Sequence, residues 1–353
     1  MLTIRCSSFA RYYTFFNFIK TPGGGTVKVV VLQKLTKEWL SRFEDIKQEF
    51  PEHEIITFDK ASTLNHIEEA DVIVGGHLKE KDLERAKNLK VIFVPWAGVN
   101  GLPWEKIRER KIIVSNNHGN SRYVAERAVG LLLALLGKIV IYHNDLTKGI
   151  WHGFSAGAPE TDMWDTIQDK TCGIIGYGSI GKYIVRFIKS FGCSIIAHKK
   201  TLPEKKDHFV DKFSLDLHET LDLSDIVFIS LPLTKETVGL IGNKEFEYLQ
   251  GKYLVNVSRG KIVEEKALYD SLKNNHLKGA AIDVWYNYPE KRSKPALPSK
   301  YPLHTLPNVV LSPHVGGFTP PSLYQMSQQT YEHLRDFLKD GTVVDRVDPD
   351  LMY

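Results

Sequence analysis

The stretch CGIIGYGSIGKYI, Cys172–Ile184, decides the fold because an apolar strand runs into a glycine-rich turn that opens a helix. A glycine-rich turn alone is weak evidence, but between a strand and a helix each glycine has its own task. Gly176 makes the turn, Gly178 lets the backbone approach a pyrophosphate, and Gly181 lets helix and strand pack closely, with the helix N-terminus facing the phosphates. The dinucleotide-binding residues predicted here are Gly176, Gly178, Ser179, Ile180 and Gly181.

The next strand of this unit, in SIIAHKKT (Ser194–Thr201), runs into two lysines. An acidic residue about 20 positions beyond the glycines would hold the ribose 2′-hydroxyl of NAD, whereas a cation there suits the 2′-phosphate of NADP. Lys199 and Lys200 occupy that position, and the stretch contains no acid. The alternative is a solvated charge pair on a surface turn. The sequence therefore favours NADP(H) as the cofactor, with NAD(H) as the alternative.

Composition excludes several classes of protein. The 353 residues carry a net charge of +4, and basic residues are scattered among 42 acidic ones, so no nucleic-acid partner is expected. The three cysteines form no C-x-x-C pair, which argues against disulfides or a metal site and fits a reducing, cytoplasmic interior. The most apolar run, Ala128–Gly137, is shorter than the roughly 20 residues a bilayer requires and predicts a buried helix, so no membrane partner is expected.

Residues 1–26 contain Arg5, Arg11 and Lys20 but no acid, and they are rich in Ser, Thr and aromatic residues. This bias is typical of a mitochondrial transit peptide, and a mitochondrial location follows if the segment is one. A translated upstream leader or a disordered tail is favoured instead, because regular amphipathic spacing of the arginines is missing. We expect the segment to contribute nothing to the fold.

From Val27 onward, apolar strands alternate with helices in two series, the second beginning at Thr171. A long helical stretch is predicted between them, from Arg122 to Lys148. Continuous apolar strands that alternate with helices indicate parallel sheets covered on both faces, which is the α/β class.

Five stretches in order resemble the D-isomer-specific 2-hydroxyacid dehydrogenases, including glyoxylate/hydroxypyruvate reductases: CGIIGYGSIG, ISLPLTKETVGLI, VNVSRGKIVEEKAL, AAIDVW and LPNVVLSPHVGG. The resemblance extends from Val27 to about Gly341. It implies a Rossmann nucleotide-binding domain (residues 122–317) inserted into a flavodoxin-like substrate domain (residues 27–121 and 318–353). It also implies a homodimer joined through the nucleotide domain and its long helix, although packing within the chain explains the apolar face of that helix equally well.

The resemblance assigns Arg259 and His314 to the catalytic centre. His314 has a suitable pKa to exchange the hydroxyl proton of a 2-hydroxy acid, and Arg259 offers a planar fork to the substrate carboxylate and carbonyl oxygen. The resemblance also implies that the backbone N–H groups of Gly98 and Val99 bind the substrate carboxylate, in a turn that otherwise needs no ligand. Asp283 matches the residue that meets the nicotinamide carboxamide or ribose. The remaining predicted cofactor-lining residues are Pro232, Thr237, Ser258, Gly316 and Gly317.

The chain departs from the family pattern beside the catalytic histidine. After Asp283 the family usually reads D-V-F-E-x-E-P, and its last Glu holds the histidine and raises its pKa. DVWYNYPE here places Tyr288 at that position, so we expect a pKa of His314 near the unperturbed value of about 6.5. Glu290 replaces the carboxylate only if the loop is shifted by two residues. The long segment 286–304, rich in Pro and Lys, is either a basic flap over the cleft or a surface excursion.

The sequence thus predicts an NADP(H)-preferring oxidoreductase that reduces a small 2-oxo acid, such as glyoxylate or hydroxypyruvate, or oxidises the matching D-2-hydroxy acid. A formate- or phosphite-type dehydrogenase is an alternative, suggested by the missing Glu. A non-enzymatic dinucleotide sensor, similar to the corepressors that share the fold and keep the Arg and His, is another. The two lysines argue against the sensor, because those corepressors resemble NAD binders.

Overall fold

The computed structural model describes residues 25–32, 36–57, 64–153, 157–291 and 293–353. They form two compact units. The first contains the described residues up to Pro95, Pro103–Asn116 and Ser327–Val347, and the second contains Trp96–Leu102, Asn117–Met326 and Asp348–Tyr353. The predicted domain limits assign residues 96–102 to the substrate domain, whereas this loop belongs to the second unit. Expectations about residues 1–24 lie outside the described residues.

The first unit is built around a five-stranded parallel sheet of order β2-β1-β3-β4-β5. This is the flavodoxin-like order. Its strands consist mainly of buried β-branched and aromatic residues, and Leu334 and Phe337 complete the core. The elements are β1 (Lys28–Val31), α1 (Lys37–Glu49), β2 (Glu54–Thr57), β3 (Val72–Val74), α2 (Glu80–Arg85), β4 (Val91–Phe93), α3 (Trp104–Glu109) and β5 (Ile113–Ser115).

The second unit contains a seven-stranded parallel sheet of order β12-β11-β10-β9-β6-β7-β8. Strand order reverses between β6 and β9, which is the Rossmann switch point where dinucleotides bind. Its elements are α4 (Ser121–Leu136), α5 (Ile139–Leu146), β6 (Thr171–Ile175), α6 (Ser179–Ile188), β7 (Ser194–His198), β8 (Lys212–Ser214), α7 (Leu217–Leu223), β9 (Ile226–Ile229), α8 (Asn243–Glu247), β10 (Tyr253–Asn256), α9 (Glu265–Lys273), β11 (Gly279–Ile282) and β12 (Val309–Leu311). The last helix, α10 (Pro320–Asp340), begins in the second unit and belongs to the first from Ser327 onward. The predicted α/β class, with a Rossmann unit and a flavodoxin-like sheet, is confirmed.

One local prediction needs correction, and one strand was not predicted. The single helix expected from Arg122 to Lys148 is two helices, because α4 ends at Leu136 and Lys138 adopts a left-handed backbone with φ of 49°. The edge strand β8 was not predicted, since its three residues form no continuous apolar run. The apolar run at Ala128–Gly137 lies in and just after α4, where most of its side chains are buried. None of the helices in the described residues combines the length and apolarity that crossing a bilayer requires.

Candidate active site

The glycine-rich turn joins β6 to α6, and its three glycines are needed for different reasons. Gly176 has a φ of 99°, and a Cβ there would lie 2.8 Å from the Ser230 carbonyl oxygen. A Cβ on Gly181 would lie 2.3 Å from the Gly176 carbonyl oxygen, so this glycine permits the close helix–strand contact. A Cβ on Gly178 would meet no atom within 4 Å, and Gly178 and Ser179 are exposed. The first turn of α6 therefore has open space that a phosphate group fits, with helix N–H groups beside it.

The lysines after β7 lie in different surroundings. The Lys200 ammonium forms an ion pair with the Glu236 carboxylate, and both side chains are exposed. The Lys199 Nζ lies 6.0 Å from the centroid of the Tyr177 ring. Burial first, and then the positive charge of Lys182, lower the pKa of Lys199. Of the two predicted phosphate ligands, Lys199 is therefore the one that meets a second cation and no acid among the described residues.

Lys182 is a candidate that sequence reasoning missed. It lies directly after the glycine motif in the first turns of α6, and its side chain is exposed. Its position one residue beyond Gly181 was the available signal. The charge repulsion with Lys199 arises only when β7 folds beside β6.

The Asp207 carboxylate, which contacts Tyr177 of the glycine-rich turn, already accepts two hydrogen bonds within the protein. It accepts hydrogen bonds from the Tyr177 hydroxyl and, at 3.1 Å, from the Phe209 backbone N–H. The buried Tyr177 ring also packs edge-on against Phe213, with centroids 5.2 Å apart. The segment after β7 is thereby attached to the glycine turn through Tyr177.

At the ends of β9 and β10, the predicted cofactor-lining residues take part in hydrogen bonds within the protein. The Thr237 hydroxyl donates to the Pro232 carbonyl oxygen at 2.7 Å, and the Ser258 hydroxyl donates to the Leu231 carbonyl oxygen. Thr237 and Ser258 are buried, whereas Pro232 is half-buried. These contacts shape the loops after the strands.

Arg259 follows β10, and its guanidinium lies against the loop that contains Gly98. A Cβ on Gly98 would be 1.8 Å from Arg259 Nη2, so any side chain at residue 98 would displace the guanidinium. Arg259 Nη1 donates to the Ser258 carbonyl oxygen at 2.7 Å, and Nε donates to Asn100 Oδ1 at 3.4 Å. Burial lowers the pKa of Arg259. Val99, the other predicted carboxylate ligand of this loop, is buried and its carbonyl oxygen accepts from Leu102 N at 3.1 Å.

His314 follows β12 in a left-handed backbone conformation, with φ of 58°. Such a conformation is strained for a residue with a side chain, and it persists where the surroundings determine it. The surroundings here are the Asp283 carboxylate, which accepts from Val315 N at 3.1 Å and Gly316 N at 2.9 Å. Asp283 thus binds the two residues that follow His314. Gly317, next in the chain, leaves no room for a Cβ, which would lie 2.8 Å from Asn120 Nδ2.

The pKa of His314 is lowered from 6.5, although the residue is partly exposed to solvent. Partial burial is the largest cause, and the positive charge of Arg259 also lowers it. The negative charge of Asp283 acts in the opposite direction. The sequence predicted a value near 6.5, and the structure moves it further from the high value that a Glu partner gives.

No carboxylate within the described ranges hydrogen-bonds to the His314 ring. The Tyr288 ring lies 5.5 Å from it, measured between centroids, and the Tyr288 hydroxyl accepts from Trp285 N at 3.0 Å. Glu290, the predicted substitute, pairs with Lys294 at 3.1 Å, and its side chain is 78% exposed. Tyr288 therefore packs beside His314, and Glu290 does not supply the missing carboxylate.

In its described residues, the long segment 286–304 folds back on itself and bonds to Glu265 at the start of α9. The backbone N–H groups of Tyr286 and Asn287 donate to the Pro298 carbonyl oxygen at 3.2 and 3.1 Å. The Ser299 hydroxyl and Lys300 N donate to Glu265 Oε1 at 2.8 and 2.7 Å. These bonds favour a surface excursion over a flap.

Comparisons with known proteins identify the family of this chain. The family described as "D-isomer specific 2-hydroxyacid dehydrogenase, NAD binding domain" matches residues 129–316. The D-3-phosphoglycerate dehydrogenase of Methanocaldococcus jannaschii is 32% identical over 300 residues, which cover 83% of this chain and 54% of that protein. This chain therefore spans about half the length of that relative.

Two further relatives are covered almost completely. The glyoxylate reductase of Thermococcus litoralis is 30% identical over 295 residues, which cover 82% of this chain and 87% of that protein. The solved structure of the PH0520 protein from Pyrococcus horikoshii OT3 is 30% identical, with a TM-score of 0.77, and the match covers 92% of this chain and 96% of that one. With a family match over more than half of its length, the chain belongs to the D-isomer specific 2-hydroxyacid dehydrogenase family.

Proposed function

We propose that the protein reduces a small 2-oxo acid, such as glyoxylate or hydroxypyruvate, or oxidises the matching D-2-hydroxy acid, and that it prefers NADP(H). The observation that carries the proposal is the pairing of Arg259 and His314. They follow β10 and β12 of one parallel sheet, close enough for the charge of Arg259 to lower the pKa of His314. One relative is named a glyoxylate reductase, which supports a small 2-oxo acid as the substrate.

In the proposed reaction, residues of the protein bind the substrate and exchange a proton with its oxygen. The Arg259 fork binds the substrate carboxylate and carbonyl oxygen, and the backbone N–H groups of Gly98 and Val99 add donors to the carboxylate. His314 gives a ring proton to the carbonyl oxygen during reduction and takes it back during oxidation. When bound beside the glycine turn, a reduced nicotinamide cofactor would supply the hydride for the carbonyl carbon. Each turnover of reduction thus adds one hydride and one proton across the C=O bond.

The direct test is a panel of 2-oxo acids with NADPH and NADH, followed at the nicotinamide absorbance. Formate and phosphite with the oxidised cofactors complete the panel, because formate oxidation removes no hydroxyl proton and the His314 ring lacks a carboxylate partner in the described residues. If only formate or phosphite is turned over, the protein is a formate- or phosphite-type dehydrogenase and the proposal is wrong. Cofactor binding without any turnover would indicate a dinucleotide sensor instead.

The substrate-binding proposal predicts a specific effect of Gly98→Ala. The added methyl group occupies the position of Arg259 Nη2, and the flexible guanidinium moves rather than the backbone. A displaced fork costs about 100-fold in kcat/KM for the oxo acid, while the melting temperature changes little. The control is Gly101→Ala, where a Cβ meets no atom within 4 Å. Unchanged kinetics in Gly98→Ala would contradict the substrate role of Arg259.

For the cofactor, we propose that Lys199 and Lys182 bind the 2′-phosphate. Partial burial of Lys199 and its repulsion by Lys182 both make the charged form of Lys199 less favourable. An anion between the two ammonium groups would offset both effects. Lys200 has an acidic partner in Glu236 and contributes less. The Asp207 carboxylate, already bound by Tyr177, leaves the phosphate site to the cations.

Replacing Lys199 by Ala is expected to reduce kcat/KM for NADPH about tenfold or more, since a charge-assisted contact contributes roughly 1.5 to 3 kcal/mol. Lys182→Ala is also expected to reduce kcat/KM for NADPH. In both variants kcat/KM for NADH barely changes. Lys200→Ala is the matched control and has a smaller effect. Wild-type efficiency with NADH equal to or above that with NADPH would refute the preference.

The lowered pKa of His314 predicts the pH dependence of reduction. The protonated ring is the proton donor, so the rate declines as pH rises through a pKa below 6.5. Tyr288→Glu restores a carboxylate beside the ring and moves this decline upward by about one pH unit or more. Tyr288→Phe is the control and keeps most activity, and His314→Ala loses most of it. A pH profile of Tyr288→Glu that overlays the wild type would contradict this account.

We also propose a homodimer formed through α5 and the segment after it. Seven apolar side chains in the described part of this stretch are exposed, which supports a surface that is covered in the functional protein: Ile139, Val140, Leu146, Ile150, Trp151, Met163 and Trp164. His152 stiffens this surface because it bonds to Asp145 at 3.0 Å and to Asp162 at 3.3 Å.

Replacing Trp164 by Asp places a charge in this apolar surface and is expected to yield a monomer of 40.2 kDa. Light scattering after size exclusion measures the mass. The control is Leu202→Asp, an exposed apolar position outside the surface. A wild-type monomer, or a Trp164→Asp dimer, would contradict the proposal.

We propose a cytoplasmic location on the basis of the cysteines. Cys172 and Cys193 are free and buried, as in proteins of reducing compartments. A mitochondrial location remains tied to residues 1–26 acting as a transit peptide.

A further inference from the structure

We propose that Arg127, far from Arg259 and His314 in sequence, is a positioning residue for His314 and acts through Ser312 and Asp283. The inference rests on the proposed catalytic role of His314. Arg127 lies on α4, Asp283 follows β11, and Ser312 follows β12. Three separate elements therefore meet in one hydrogen-bond chain.

The first link is fixed by the donors that Arg127 carries. Its Nη2 and Nε lie 2.9 and 3.2 Å from the Ser312 hydroxyl oxygen. A guanidinium only donates, so the Ser312 oxygen must accept from it. Within the described residues, Arg127 forms no ion pair with an acidic side chain, and the two bonds to Ser312 account for its placement.

The second link follows from the first. The Ser312 hydroxyl has a single proton, and its oxygen accepts from Arg127. Ser312 therefore donates that proton to Asp283 Oδ1. Trp285 Nε1 holds the Ser312 backbone by donating to its carbonyl oxygen at 2.8 Å. Ser312 and Asp283 are 1% and 2% exposed, so water cannot substitute for either partner.

The third link reaches His314. Asp283 accepts from the Ser312 hydroxyl and from the backbone N–H groups of Val315 and Gly316, so three donors determine the orientation of its carboxyl group. The two backbone bonds fix the residues after His314 and with them its left-handed conformation. Arg127 thus orients the carboxylate that orients the histidine, without touching a reacting atom.

The test compares Arg127→Met, Arg127→Lys, Ser312→Ala and the double variant Arg127→Met/Ser312→Ala. Arg122→Met, an exposed arginine of the same helix, is the matched control. We expect kcat for glyoxylate reduction to fall about tenfold in Arg127→Met with KM unchanged, and partial recovery in Arg127→Lys. The double variant loses no more than the larger single variant, because both changes break one chain.

Amide hydrogen exchange of residues 312–317 in the cofactor-free protein gives a readout that is independent of activity. Exchange increases there in Arg127→Met, while the rest of the protein and the melting temperature stay as in wild type. Wild-type kcat and exchange in Arg127→Met, or additive losses in the double variant, would overturn the proposal. A wild-type protein inactive on every substrate would refute the proposed function alone, since the exchange data would still report on Arg127.

Discussion

Parallel strand pairing in the seven-stranded sheet is the constraint on which the site depends. Because every strand of this sheet runs in one direction, the carboxyl ends meet at one edge, and the glycine turn, Arg259 and His314 all follow that edge. Gly176 and Lys199 follow β6 and β7 on one side of the switch point, whereas Arg259 and His314 follow β10 and β12 on the other. The sheet thus separates a half that fits phosphates from a half that fits the reacting centre.

Within the second half, one buried carboxylate has two effects on His314. Asp283 fixes the backbone of the following residues, and its charge raises the pKa of the ring. Burial and Arg259 outweigh that charge, so the pKa of His314 is lowered overall. The same Arg259 that suits substrate binding therefore makes His314 a stronger acid that is less often protonated near neutral pH. A glutamate in place of Tyr288 would add a second negative charge that raises the pKa of His314.

Patterns local in sequence were predictable, and contacts distant in sequence were not. The glycine turn and the strand ends could be read because a strand, three glycines and a helix are contiguous. The pairing of Lys200 with Glu236 spans 36 positions, and that of Arg127 with Ser312 spans 185, so neither leaves a periodic signal. The break at Lys138 was missed because a lysine gives no sign in the sequence of a left-handed backbone, which it adopts here with φ of 49°. The replacement of the family glutamate by Tyr288 was visible, yet only the fold shows that Glu290 turns to Lys294.

Transfer of deuterium to glyoxylate from NADPH that carries deuterium at both C4 positions tests hydride transfer most directly. Mass spectrometry of the product from a single turnover shows whether hydrogen passes from the cofactor to the substrate carbon. The wild-type protein is expected to give a 2-hydroxy acid with one deuterium on C2, and His314→Ala is expected to give little of this product in the same time. Binding of both ligands to the wild-type protein without deuterium on C2 would contradict the proposed function.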